Sequence, residues 1–169
     1  PTRVQLMTGM SNVRNYVEFG TLEKSQTTFG HVFSHAGYAT CITGKWQLKN
    51  GYEGPAHFGF DEYALWQLTR RPGRYKNPGS EINGKQHDNT KNEYGPDLVS
   101  DYALDFITRK KDGPFFLYYP MMLTHSPYAA TPDSEDYIES KASKGKGKGA
   151  SGHFPDMVAY TDKLIGKLV

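Results

Sequence analysis

Twice along this 169-residue chain a helix-period pattern is followed, after a glycine-marked break, by a run of strand-forming residues, and that order restricts the fold more than any other feature. In the first unit Thr28 is placed to cap a short helix whose apolar residues Phe29, Val32, Phe33 and Ala36 recur at helical spacing. Gly37 is placed to end it. The small, β-branched and mostly apolar run Tyr38-Ala-Thr-Cys-Ile-Thr43 then predicts a buried strand closing at Gly44-Lys45. In the second unit Gly95-Pro96 breaks the chain, Asp97 is the expected cap, and Leu98, Val99, Tyr102, Ala103, Phe106 and Ile107 make one apolar face. Arg109, Lys110 and Lys111 suit the negative C-terminal end of that helix. Asp112-Gly113-Pro114 stops it, and Phe115-Phe-Leu-Tyr-Tyr119 predicts a strand covered on both faces. Helix then buried strand, repeated, predicts an α/β fold with a largely parallel central sheet flanked by helices.

Outside these units the chain is less regular. Residues 1–7 read as a first helical turn, with Pro1 at a favoured opening position and Gly9 ending it. Residues 50–94, punctuated by Gly54-Pro55, Arg71-Pro72-Gly73 and Asn77-Pro78-Gly79, predict a loop-rich insertion decorating the core. Residues 140–152, with four Lys and four Gly, predict a flexible low-complexity tract. Met157, Val158, Thr161, Leu164, Ile165 and Leu168 give a final amphipathic helix whose stripe is still running at Val169.

Composition excludes several classes of function. No window approaches the ~20 apolar residues of a membrane-spanning helix, and a net charge of +2 gives no global basic field for nucleic acid. The single Cys41 allows no internal disulfide, and no Cys/His cluster has zinc spacing.

Ligands of open α/β sheets bind beyond the carboxyl ends of the strands. That rule brings forward Lys45, at the end of the first predicted strand, and His125, a few residues past the second. Arg3, in a helix start with free backbone N–H groups, adds a planar donor for a tetrahedral oxyanion. Together the three predict a pocket for a sulfate or phosphate ester. A nucleotide phosphate loop is excluded: the required first glycine is Ala39, and Lys45 is followed by Trp46 rather than a hydroxyl residue.

In this order the residues resemble the sulfatase family. Pro1-Thr2-Arg3-Val-Gln-Leu-Met-Thr8-Gly9 matches all but the first two positions of its active-site signature, Cys or Ser, any residue, Pro, a small residue, Arg. Ala36-Gly37-Tyr38 through Gly44-Lys45-Trp46, then Gly59-Phe60-Asp61, His125-Ser-Pro127 and the helix from Met157 to Leu168 are similar to four further family landmarks. The resemblance implies an alkaline phosphatase-like sandwich and hydrolysis of a sulfate ester of an aryl or carbohydrate substrate. It further implies a formylglycine nucleophile two residues before Pro1, made from Cys or Ser by a formylglycine-generating or anaerobic maturase, and Ca²⁺ in the complete enzyme. On these positions Arg3 holds the aldehyde hydrate, Lys45 contacts hydrate and sulfate, and His125 donates to the sulfate or the leaving-group oxygen. Gln47 stands where the family usually carries a catalytic His and cannot shuttle a proton. The acidic metal ligands have no counterpart here, since Asp61, Asp133 and Asp136 lack coordinating spacing.

These matches predict residues 1–169 to be an internal part of a sulfatase catalytic domain, inactive alone, from a secreted or periplasmic parent with no membrane span and no nucleic-acid partner. A phosphonate or phosphodiester hydrolase of the same superfamily is the alternative enzyme. A polyanion-binding module using residues 140–152 is the non-enzymatic one. Tyr52, Tyr63, Trp66, Tyr75 and Tyr94 form either a carbohydrate-binding wall or packing for the loops.

Overall fold

A computed structural model describes residues 2–138 and 151–169, so Pro1 and residues 140–150 of the Lys/Gly tract lie outside the described residues. The described helices are α1 (Thr2–Thr8), α2 (Asn12–Asn15), α3 (Phe29–His35), α4 (Gly54–His57), α5 (Gly95–Lys110) and α6 (Phe154–Leu168). The strands are β1 (Ala39–Lys45), β2 (Glu62–Trp66), β3 (Gly79–Ile82), β4 (Lys85–Asp88) and β5 (Phe115–Tyr118), in one sheet of order β4-β3-β2-β1-β5. β1 is parallel to β2 and β5, while β3 is antiparallel to β2 and to β4.

Strand side chains alternate between faces, and each face has its own layer of helices. Ile42, Tyr63, Leu65, Phe116 and Tyr118 point to one side, where Val4 and Met7 of α1 and Phe29 of α3 pack with Trp46, Phe58 and Phe60. Trp66 points to the other, against Val99 of α5 and Met122. Thr43 fixes α5 there by donating its hydroxyl to the Val99 carbonyl at 2.7 Å. Beyond α5, Met157, Tyr160 and Leu164 of α6 join Tyr75, Tyr94 and Tyr137 in a second core.

α3 follows its sequence signals closely. Thr28 Oγ1 accepts from the His31 backbone N–H and donates to the Phe58 carbonyl at 2.7 Å, joining the helix cap to the turn before β2. That turn crosses α3 at Gly30 and Gly59. A Cβ on Gly59, which also has φ +89°, would lie 2.3 Å from Gly30 C and His31 N. Asp61 completes the junction, accepting from Thr40 N at 2.8 Å and Thr40 Oγ1 at 3.0 Å.

Several expectations change. Residues 50–94 are loop-rich as expected, but they also carry β2, β3 and β4, which join the sheet itself. Asn83 and Gly84, with φ +44° and +84°, form the tight turn between β3 and β4 that such a twisted hairpin requires. β5 is an edge strand among the described residues and only half-buried, although both faces are covered, Phe116 and Tyr118 by the first core and Phe115 by Phe106 of α5. α5 begins two residues before Asp97, with Pro96 inside its first turn, and Asp97 accepts from Tyr160 Oη at 2.8 and 2.9 Å instead of capping. Arg109 does more than sit at the helix end, since its guanidinium grips both Glu62 oxygens, at 3.1 and 2.8 Å. The aromatic wall resolves as packing: Tyr63, Trp66, Tyr75 and Tyr94 are buried, and Tyr52 packs against the first core.

Candidate active site

The site is built where β1 and β2 end. Gly44 has φ +113°, and a Cβ there would stand 2.4 Å from the Pro120 carbonyl oxygen. Only glycine lets the chain after β5 come this close, and the Lys45 N–H then donates to Pro120 O at 2.9 Å. Lys45 is thereby set at the strand end beside Trp66, its register partner on β2, with Nζ 5.9 Å from the Trp66 ring centre. Trp46 is buried in the first core, and its carbonyl accepts from Arg3 Nη1 at 2.9 Å. Gly-Lys-Trp thus divides its labour among close approach, a cation at the strand end and a buried anchor.

Arg3 and Lys45 line one cavity of about 500 Å³, together with Gln47, Phe19, Tyr118 and Pro120. Among the described residues no aspartate or glutamate lines it. Burial pushes the Lys45 ammonium down to about 8, and the nearby Arg74, Arg3 and Arg71 guanidinium groups push the same way. Burial also lowers Arg3, partly offset by the Tyr118 hydroxyl beside it, and Arg3 Nε is buried without a hydrogen-bond partner in the described structure. A buried cation lacking a counter-charge is costly to fold around, and an anionic ligand relieves that cost.

Gln47 stands in the same wall in a left-handed conformation, φ +54°, and its backbone N–H donates to Gln67 O at 3.0 Å. Gln67 is left-handed too, at φ +62°. The two glutamines carry the β1–β2 pairing past the strand ends and open a second cavity of about 570 Å³, which shares Phe19, Gly20, Gln47 and Leu48 with the first and adds Arg70 and Arg71. Buried Glu81 shapes that wall by accepting from the Leu68 and Thr69 backbone N–H groups at 3.1 and 2.9 Å.

Of the four candidate residues, Arg3, Lys45 and Gln47 come together. His125 lies outside the lining of the first cavity: it is exposed, and its Nδ1 is 2.7 Å from the Ser126 carbonyl oxygen. Its own carbonyl accepts from the Tyr75 hydroxyl, which ties the His125 segment to the loop after β2. Sequence reasoning missed Arg74 and Tyr118, because a lone arginine beside Gly73 and a tyrosine inside an apolar run carry no motif. Among the described residues no group of three or more His, Cys, Asp or Glu side chains assembles. They therefore do not fit a Ca²⁺ site, which needs several oxygen ligands.

A family model described as Sulfatase matches residues 1–169. The chain belongs to the sulfatase family. Among curated sulfatases it is 27% identical over 135 residues to an N-acetylglucosamine-6-O-sulfatase of Bacteroides thetaiotaomicron, covering 78% of this chain and 23% of that protein. It is 26% identical over 200 residues to the human N-acetylgalactosamine-6-sulfatase, covering all of this chain and 36% of the relative. Among solved structures, a protein in complex with its substrate D-glucosamine-2-N,6-O-disulfate aligns over 78% of this chain and 26% of its own, with 27% identity and a TM-score of 0.64. Ps i-CgsB in complex with k-i-k-neocarrahexaose covers all of this chain and 43% of its own, at 25% identity and a TM-score of 0.77. The sulfatase chain thus spans less than half the length of each of these four proteins. Its mixed α/β sandwich is the alkaline phosphatase-like fold of the family.

Proposed function

We propose that these residues supply the substrate side of a sulfuric ester hydrolase acting on a sulfated saccharide. The convergence of Arg3 and Lys45 on one cavity, with no carboxylate among its described lining residues, supports this reading most directly. A sulfate ester brings one negative charge to the cavity, and cleavage of its ester bond moves further charge onto the leaving oxygen. Lys45, fixed at a strand end in a partly desolvated wall, meets that charge with little reorganisation. Arg3 is held by the Trp46 carbonyl and Tyr118, so its guanidinium is oriented before an anion arrives. His125, exposed at the loop after β5, is the proton donor to the leaving oxygen. Gln47 supplies hydrogen bonds but no proton transfer.

The family resemblance puts a maturase-made formylglycine two residues before Pro1, and such a group supplies the attacking oxygen. No step is routed through calcium, whose ligands the described residues do not provide. Carbohydrate sulfatases and arylsulfatases both stand among the relatives, and the neighbour solved with its sulfated glucosamine substrate supports a saccharide. No described helix is long and apolar enough to cross a membrane, and export of the parent protein is part of this proposal.

The test competes a sulfated saccharide and an aryl sulfate against phosphate mono- and diesters on the intact protein carrying these residues. Faster turnover of the sulfates is expected, and a preference for phosphodiesters would favour the alternative hydrolase. The 169-residue polypeptide alone is expected to turn over no aryl sulfate, and clear turnover would overturn that division of the active site.

A further inference from the structure

The loop between β2 and β3 carries a charge that the residues proposed above do not explain. Arg74 is 3% exposed, and its Nε and Nη1 have no hydrogen-bond partner in the described structure. None of the ion pairs among the described residues involves it. Its guanidinium lies 4.3 Å over the Trp66 ring and 5.6 Å from the Tyr75 ring, and it contacts the Tyr75 hydroxyl.

This placement is rigid. Gly95, the first residue of α5, fits against the Arg74 backbone so closely that a Cβ would lie 2.0 Å from Arg74 O. The Gly95 N–H donates to Tyr75 O at 2.7 Å, locking the next residue as well. On one side Arg74 shares the Trp66 ring with Lys45. On the other, Tyr75 donates its hydroxyl to the carbonyls of Met122 and His125. Arg74 therefore stands between the Lys45 and His125 segments. A guanidinium buried without an anion is unfavourable, and stacking on aromatic rings replaces only part of its hydration.

We propose that Arg74 is a further anion-binding residue of this site, giving its unpartnered nitrogens to a sulfate oxygen of the substrate between Lys45 and His125. The proposal rests on the hydrolase reading above and adds a third cation to Arg3 and Lys45.

The test uses Arg74→Met, which keeps an apolar side chain over Trp66, Arg74→Lys, which keeps the charge, and Lys45→Met, all in the intact protein. Inorganic sulfate is titrated while the melting temperature is followed, and kinetics are measured with a sulfated saccharide. Loss of a charged hydrogen bond predicts a rise in KM of about ten- to hundredfold for Arg74→Met, and a smaller rise for Arg74→Lys. The ligand-free melting temperature stays level or rises, and the sulfate-induced increase disappears. A fall in ligand-free melting temperature with unchanged KM would overturn the proposal and assign Arg74 to a protein carboxylate. If Lys45→Met abolishes the sulfate response and Arg74→Met keeps it, the Arg74 proposal fails alone. If both keep it, the hydrolase reading fails too. Should Arg74→Met not fold, the same titration on Arg74→Lys decides, and an unchanged response counts against the proposal.

Discussion

The two ends of the parallel strands treat charge in opposite ways. At the ends where β1 and β2 begin, the partly buried charges are paired. Arg109 grips Glu62 and Asp105, Tyr102 donates to Glu62, and Asp61 accepts from Thr40. At the other end Arg3, Lys45 and Arg74 crowd together, and Arg3 and Arg74 keep buried nitrogens without acceptors. One end holds the sheet and its helices together. The other gathers cations without described counter-charges, at the edge where ligands of open α/β sheets bind.

Substitutions at the two ends should therefore separate function from stability. The largest effect is expected from Lys45→Met in the intact protein, about a 10²–10³-fold fall in kcat/KM for a sulfate ester with no loss of melting temperature. An equal loss of stability would erase the contrast. Gly59→Ala does the reverse, because the new Cβ meets the backbone of α3 at a left-handed position. It should cost about 3 kcal/mol in chemical denaturation while surviving folded enzyme keeps its activity. Glu62→Gln should cost about 1 kcal/mol, since the Arg109 pair is partly exposed, and leave KM unchanged. The smallest effect sharpens the comparison by pH. Because Lys45 titrates near 8 when folded and at its usual 10.5 when unfolded, the unfolded chain binds more protons between those values. Ligand-free stability should rise with pH across that window, whereas sulfate affinity should fall above pH 8. Both trends should flatten in Lys45→Met.

The contrast also explains what could be read from residues alone. α3, β1 and β5 were legible because capping, helical period and apolar runs are local signals. Within residues 50–94, β3 and β4 were hidden: Gly79-Ser-Glu-Ile82 buries polar side chains, and Lys85-Gln-His-Asp88 is exposed throughout, so neither shows apolar alternation. Asn83-Gly84 was the available hairpin signal, masked by the glycine- and proline-rich breaks around it. The edge position of β5 is a property of strand order, which its own composition cannot state. In the candidate site, Lys45 and Arg3 sit in motifs that single them out as candidates, whereas Arg74 has no motif and draws notice only once Trp66, Tyr75 and Gly95 are folded around it.

The hydrogen bond from Gln47 to Gln67 has a consequence for how such a protein can diversify. It fastens the loop that bears Gln47, two residues after Lys45, to the loop that carries Arg70 and Arg71. Lengthening or rewriting one loop therefore moves the wall of both cavities, so new ligand preferences in this fold should arise through paired changes rather than single ones.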